Sequence, residues 1–247
     1  MRIVYVNRKF LDYRVPVLEA LNEKSGENLT VMYSRNTVAP RVDRKLRKAI
    51  GNGAMGLDGE LRIGNTDRTR LANQGVSFRF HPGVYGKLLA LKPDVVVAEG
   101  FFKWSAAAAA AKIIKGIPLV FCYERTPHTE RNAQWYRTAY RKIMVTLADG
   151  ICCNGRLSAE YVHFLGASLD RITLGHMAAD IHGIQDQIRR LTHEETSKQR
   201  LGLKEEESLF LYVGQLLPKK GVMELLRAWI ERRNPQGVHW SLSEMAS

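Results

Sequence analysis

Cysteine is scarce in this chain: three in 247 residues, two of them adjacent as Cys152 and Cys153. That count excludes a secreted disulfide framework, and the spacing lacks the paired ligands of a zinc site. The expected state is reduced thiols in a core, in a cytoplasmic protein. Long apolar runs are also missing. The opening "IVYV" is much shorter than a signal-peptide core, and "AAAAAAKIIKG" is interrupted by lysines, so nothing approaches the ~18 to 20 apolar residues of a membrane span. There is no Gly-Lys-Ser/Thr phosphate loop and no GxGxxG fingerprint. Acidic residues are in deficit, 25 against 37 Lys and Arg, giving a net charge of +12. Such a balance suits a polyanionic partner: nucleic acid, an anionic membrane surface or a phosphorylated small substrate. The chain has no recognisable nucleic-acid module, so nucleic acid is the least favoured of the three.

What is present is the composition of a soluble globular protein, 45% hydrophobic and 25% charged, long enough for one or two domains. Short apolar runs alternate with helical patterns. Strands are expected at 2–6, 28–34, 93–100, 117–124, 149–154 and 170–175, and helices at 13–24, 83–92, 104–116, 131–147 and 156–165. Repetition of strand and helix predicts an α/β fold with a parallel sheet covered by helices on both faces. The runs "VVVA" and "PLVFC" read as strands buried on both sides. Residues 36–77 show no clear period and are expected to be an irregular excursion with at most one short helix. A polar, helix-prone connector over 181–207 separates a first domain, 1–180, from a second that opens at 208 with a strand (209–213) and a helix. The closing "ERRNPQGVHWSLSEMAS" is expected to hold no strand.

Parallel sheets bind ligands at the carboxyl ends of their strands. The corresponding loops, 7–14, 99–104, 124–131 and 154–156, carry much of the unusual chemistry. Glu99 ends one strand, and His128 follows another beside Glu124 and Arg125, each placed to act as an acid or base or to hold a substrate hydroxyl. The plain alternative for His128 is a loop residue bonded to nearby backbone. His176, His182 and His193 lack companions for a metal and are expected in solvent. In 131–147, Trp135, Ala139, Ile143 and Leu147 share one helical face, while Arg137, Arg141 and Lys142 lie elsewhere. Two readings stand: a core helix with a solvated basic face, or a surface helix that meets anionic lipid headgroups. The basic run "RVDRKLRKAI" (41–50) favours the second. Near the chain's end Gly214 closes a strand, and Lys220 and Gly221 stand where a helix begins, a place suited to a diphosphate.

"LFLYVGQLLPKKGVMELLRAW" (209–229) resembles the strand, loop and helix that open the C-terminal domain of retaining glycosyltransferases of family 4; Gly214, Lys220, Gly221, Leu225 and Ala228 fit that pattern. Residues 147–180 resemble the family's passage from its last N-domain helix to the interdomain loop, with Asp180 as its aspartate, and "RKFLDYRVPVLEAL" is similar to the Tyr-Arg-x-Pro entry of some members. The resemblance implies a GT-B fold: a Rossmann-like acceptor domain (1–180), then the start of a second, incomplete Rossmann-like domain (208–247) for a nucleotide-sugar. It assigns Gly214, Gln215, Lys220 and Gly221 to the donor phosphates and His128 and Glu99 to the catalytic cleft; Tyr13, Arg14, Arg137, Arg141 and Lys142 are expected on the acceptor or membrane side. Gln215 stands where the family usually has arginine, which removes a fixed charge and a bidentate fork. The paired-glutamate motif of the family's later donor units is not found, which implies a truncated donor domain. The implied activity is transfer of a sugar from a nucleotide-sugar, itself a substrate, to a polysaccharide or lipid-linked glycan precursor, with no cofactor or metal. The alternative is an inactive acceptor-domain fragment that binds membrane or glycan.

Overall fold

Strand β1, Ile3–Val6, is four consecutive buried residues, as a strand covered on both faces requires. The computed structural model describes residues 1–63, 78–101, 103–176, 178, 180–191, 202–204, 208–214, 216, 220–231 and 238–244. Contacts divide the chain into two units, Met1–Asp180 and Ile181–Ser247. In the first, β1 continues through helix α1 (Val15–Lys24), β2 (Leu29–Ser34), α2 (Pro40–Ile50) and β3 (Ala54–Leu57). A small antiparallel pair follows, β4 (Leu61–Ile63) with β5 (Phe78–Phe80). The second half of the unit alternates α3 (Val84–Ala90), β6 (Val95–Glu99), α4 (Ser105–Lys115), β7 (Leu119–Tyr123), α5 (Pro127–Glu130), α6 (Trp135–Leu147), β8 (Gly150–Cys153), α7 (Arg156–Phe164) and β9 (Ile172–Leu174). Seven strands form one sheet in the order β3-β2-β1-β6-β7-β8-β9, every neighbouring pair parallel.

Helices cover both faces. Val15 and Leu18 of α1 and Val42, Leu46 and Ile50 of α2 pack with Ile3, Tyr5, Val31 and Tyr33 on one side. On the other, Leu88, Ala108, Met144, Val145 and Val162 from α3, α4, α6 and α7 pack against Val4, Val96, Phe121 and Ile151. The alanines of α4 bring that helix close to the sheet, and Gly116, with φ +67°, closes it in the left-handed conformation.

Several expectations change. The stretch read as irregular holds a three-turn helix, α2, whose Val42, Leu46 and Ile50 recur every four residues, and the edge strand β3. Strands β6, β7 and β8 are buried only at alternate positions, because α1 and α2 pack over the β1–β3 half of their face. The expected long helix begins later, at Trp135, after the separate turn α5, which Thr126 caps through the Thr129 amide with Pro127 at its first position.

Helix α6 is also rotated from the core-helix reading of this segment, which turned Trp135 and Ile143 inward. Trp135 is 81% and Ile143 58% exposed, while Arg141 is buried with Met144 and Val145. Arg141 is therefore not part of a solvated or membrane-facing surface. Its guanidinium meets Glu130, both side chains are 1% exposed, and Arg125 donates to the other Glu130 oxygen at 2.8 Å. Pairing is what allows two full charges to lie inside.

The second unit contains α8 (Ile181–Leu191), β10 (Ser208–Gly214), α9 (Val222–Glu231) and β11 (Val238–Glu244). β11 corrects the expectation of a strandless tail: it pairs in parallel with β10, Ser208 opposite Val238 through Gly214 opposite Glu244. Phe210 and Trp229, ring centroids 5.4 Å apart, pack α9 on β10.

Removing Glu130 leaves Arg141 charged, buried and deprived of its carboxylate. Glu130→Ala is expected to lower the unfolding free energy by about 3–5 kcal/mol, read from urea denaturation. A loss under 1 kcal/mol would mean that water reaches Arg141.

Candidate functional site

The chain leaves β1 in one direction along the sheet, to β2 and β3, and β6 in the other, to β7, β8 and β9. The carboxyl ends of β1 and β6 therefore flank the switch point, where loops diverge and a crevice opens. Glu99 is the last residue of β6, and Gly100, with φ +67°, turns the chain away at once.

Three elements converge on Glu99. Tyr5 of β1 donates its hydroxyl to Oε2 at 2.5 Å, and Arg14, from the 3-10 turn Asp12–Arg14 before α1, donates to Oε1 at 3.0 Å. Ser105, first residue of α4, binds the Glu99 carbonyl at 3.2 Å. Arg14 also lies over the Tyr13 ring, 5.9 Å from its centroid. Burial raises the Glu99 carboxyl above its ordinary pKa, helped by Glu124 and opposed by Arg14 and Tyr5. Burial likewise raises Tyr5 well above the usual phenol value, with Cys122 and Glu99 adding to it. Arg14 is raised: burial pulls it down, but Glu99 and Tyr5 outweigh that.

Beside this group lies a second one. Arg8, just past β1, grips Glu60 through both Nε and Nη2, the latter at 2.7 Å, and Trp104 donates its indole N–H to Glu60 at 3.0 Å. His81 stands edge-on to Trp104 at 5.5 Å. The Gly83 amide donates to His81 Nδ1, so Nε2 carries the hydrogen and donates to the Asp58 carbonyl. Both ring nitrogens are thus engaged.

The residues singled out in the sequence are thus distributed. Arg14 and Glu99 come together, the guanidinium turned toward the half-buried Glu99 carboxyl. His128 lies exposed on α5 and bonds within its own turn, to Arg131 Nη1 at 2.7 Å. Tyr13 and Arg137 are half-buried and Lys142 is exposed. His176 and His182 are exposed. In the second unit Gly214 ends β10, and Lys220 and Gly221 immediately precede α9, with Gly221 at φ +68°. Gln215 and His193 lie outside the described residues. Sequence reasoning did not single out Tyr5, Arg8, Glu60, His81 or Trp104. Tyr5 reads as one more apolar residue of a buried strand, Glu60 lies within the stretch without period and His81 just after it. Among the described residues no group of three or more His, Cys, Asp or Glu is placed to hold a metal ion, and no helix is long and apolar enough to cross a membrane.

Comparison with solved structures finds Anabaena HepE in complex with UDP and glucose, 17% identical with a TM-score of 0.62, covering 98% of this chain and 60% of HepE. Also similar are the Neisseria meningitidis UDP-GlcNAc 2-epimerase bound to UDP-GlcNAc (12% identity, TM-score 0.59, 100% of this chain and 67% of the epimerase) and S. aureus MnaA with UDP (12%, 0.61, 100% and 64%). At these identities the likeness establishes the fold, a Rossmann-like α/β architecture shared with GT-B enzymes, and this chain spans about 60% of the length of HepE. No curated protein sequence gives a significant match. A profile of the family described as Glycosyltransferase Family 4 matches residues 30–181, from β2 through β9, and on that match the chain belongs to glycosyltransferase family 4.

Proposed function

We propose that this protein takes part in transfer of a sugar from a nucleotide-sugar to a glycan or lipid-linked acceptor, with retention at the anomeric carbon as its family resemblance implies. The observation that carries the reading is the Tyr5–Glu99–Arg14 group at the switch point of a family 4 chain. The similar structures hold UDP, UDP-glucose or UDP-GlcNAc, which supports a uridine nucleotide as the donor's leaving group. In this reading the acceptor lies at the carboxyl edge of the seven-stranded sheet. Ionised Glu99 accepts a hydrogen bond from an acceptor hydroxyl, Arg14 and Tyr5 hold its carboxylate in place, and exposed His128 offers a second polar contact. Negative charge grows on the departing diphosphate in the transition state, so Lys220 and the free amides at the start of α9 lower the barrier by stabilising it.

The proposed setting is the cytoplasmic face of a membrane. Its support is the outward side of α6, where Trp135, Tyr136 and Ile143 are exposed together with Lys142, an amphipathic combination suited to the headgroup region. A second reading, binding without transfer, draws on this same face.

Transfer is tested by following labelled sugar from UDP-glucose and UDP-N-acetylglucosamine into extracted lipid and polysaccharide. Label in either fraction, in the same anomeric configuration, supports the proposal; UDP binding without any transfer moves the assignment to the second reading. Calorimetry with UDP is expected to give micromolar binding. Lys220→Ala should weaken it about tenfold or more, because a charge-assisted hydrogen bond contributes about 1.5–3 kcal/mol. Unchanged affinity would remove Lys220 from the site.

Glu99 makes stability depend on pH in a determined direction. Its folded pKa is raised, so in acid both states bind the proton, and as pH rises the unfolded chain releases it first. Wild-type stability from this group is full below the ordinary carboxylate range and is lost as pH rises through the folded value. Melting temperatures of Glu99→Gln and wild type, compared from about pH 4 to about pH 8, should therefore shift in favour of the variant with rising pH. A difference independent of pH would show an unperturbed carboxyl.

For the membrane surface, the protein is expected to sediment with vesicles containing anionic lipid more than with phosphatidylcholine alone. Lys142→Glu should reduce that binding by about 1 kcal/mol or more. Equal binding by the variant would place the contact elsewhere.

A further inference from the structure

Cys122 of β7 and Cys152 of β8 are direct partners in the register of the sheet. Residues opposed in this way on parallel strands point to the same face, with backbones about 4.8 Å apart, inside the ~4.4–6.8 Å that a disulfide spans between Cα atoms. Each thiol shifts the other's acidity, Cys122 upward and Cys152 downward. Both are partly exposed, on the face of β6–β8 that α1 and α2 leave half open. Cys153 points the other way into the core and is buried, which leaves Cys152 one thiol partner in its own chain. Room for the Cys152 sulfur is provided by Gly175, where a β-carbon would come within 2.3 Å of Sγ.

The pair adjoins the site. Glu99 is the register partner of Cys122 on the next strand, and Tyr5 touches both Cys122 and Glu99. Cys122 lowers the Cys152 thiol to about 7, with burial and Glu99 opposing and Arg14 assisting, which favours Cys152 as the nucleophile of the pair.

We propose that Cys122 and Cys152 are a reversible oxidation site, closing to an intramolecular disulfide across β7 and β8 when the protein meets a peroxide. The Cys152 thiolate attacks one peroxide oxygen; the O–O bond breaks, hydroxide leaves and takes a proton to become water, and Cys152 becomes a sulfenic acid. The Cys122 sulfur then attacks that sulfenyl sulfur, the S–O bond breaks, and a second water departs with the Cys122 proton. Two thiols lose two electrons in total, and the peroxide gains them. A dithiol reductant reverses the bridge by exchange.

The test is exposure of the whole native chain to hydrogen peroxide, alkylation of remaining thiols under denaturing conditions, and peptide mapping by mass spectrometry. The expected product is a linked pair of peptides containing Cys122 and Cys152, lighter by two hydrogens, abolished by dithiothreitol and still formed in Cys153→Ser. Cys122→Ser should instead leave a sulfenic acid at Cys152 that dimedone traps. Linkage of Cys152 to Cys153, linkage only between chains, or peroxide treatment that leaves Cys122 and Cys152 fully alkylatable would each overturn the proposal.

Discussion

Parallel strands joined by right-handed crossovers place their helices on one face when the chain walks one way along a sheet and on the opposite face when it walks back. In this protein the walk reverses between β1 and β6. The helices α1 and α2 accordingly pack on one side and α4, α6 and α7 on the other. The same reversal separates the loops after β1 and β6, so Arg8 and Arg14 approach Glu60 and Glu99 from one bank and Trp104 and Ser105 from the other. It also leaves one face of β6, β7 and β8 half covered, which is why Cys122 and Cys152 are not simple core thiols.

Excess positive charge does not form one uniform face. Arg8, Arg14 and Arg141 each turn inward to a carboxylate, Glu60, Glu99 and Glu130. These pairs hold distant segments together: Arg8 and Glu60 are 52 residues apart, and Arg14 and Glu99 are 85. Arginine suits the role because its planar fork meets both carboxylate oxygens and its charge persists on burial. Among the described residues, Arg41, Arg44, Lys45, Arg47 and Lys48 of α2 and Lys142 of α6 stay outside, where their charge acts on whatever the surface meets.

The alternation of strands and helices was legible because apolar runs and helical periods are local properties. What was missed depended on partners far away in sequence. β3 is short, "AMGL", with a glycine inside it, and is a strand because β2 offers an edge to it; α2 shows its period only once the basic residues between Val42, Leu46 and Ile50 are recognised as an outer face. Val238, Trp240 and Leu242 alternate as a strand should, yet read as a tail until paired with β10. For α6 the core-helix reading turned the wrong face inward, since an arginine with a buried carboxylate partner is a better core residue than a tryptophan is a surface one to avoid. Glu99 stood out from its place at a strand's end, whereas Tyr5 did not, because a tyrosine among valines and isoleucines carries no mark of what its hydroxyl touches.

Desolvation wins over pairing at Glu99, and this governs how the crevice responds to a ligand. An arginine 3.0 Å away ordinarily holds a carboxylate below its usual range, but the carboxyl here is raised, so loss of water outweighs Arg14 and Tyr5 together. The balance of a group held in this way is moved by whatever enters. An anion that draws Arg14 toward itself removes the principal opposing charge and raises the carboxyl further. A hydroxyl that donates to the carboxylate replaces lost water and lowers it. An anion and a hydroxyl thus act on the same carboxyl in opposite directions.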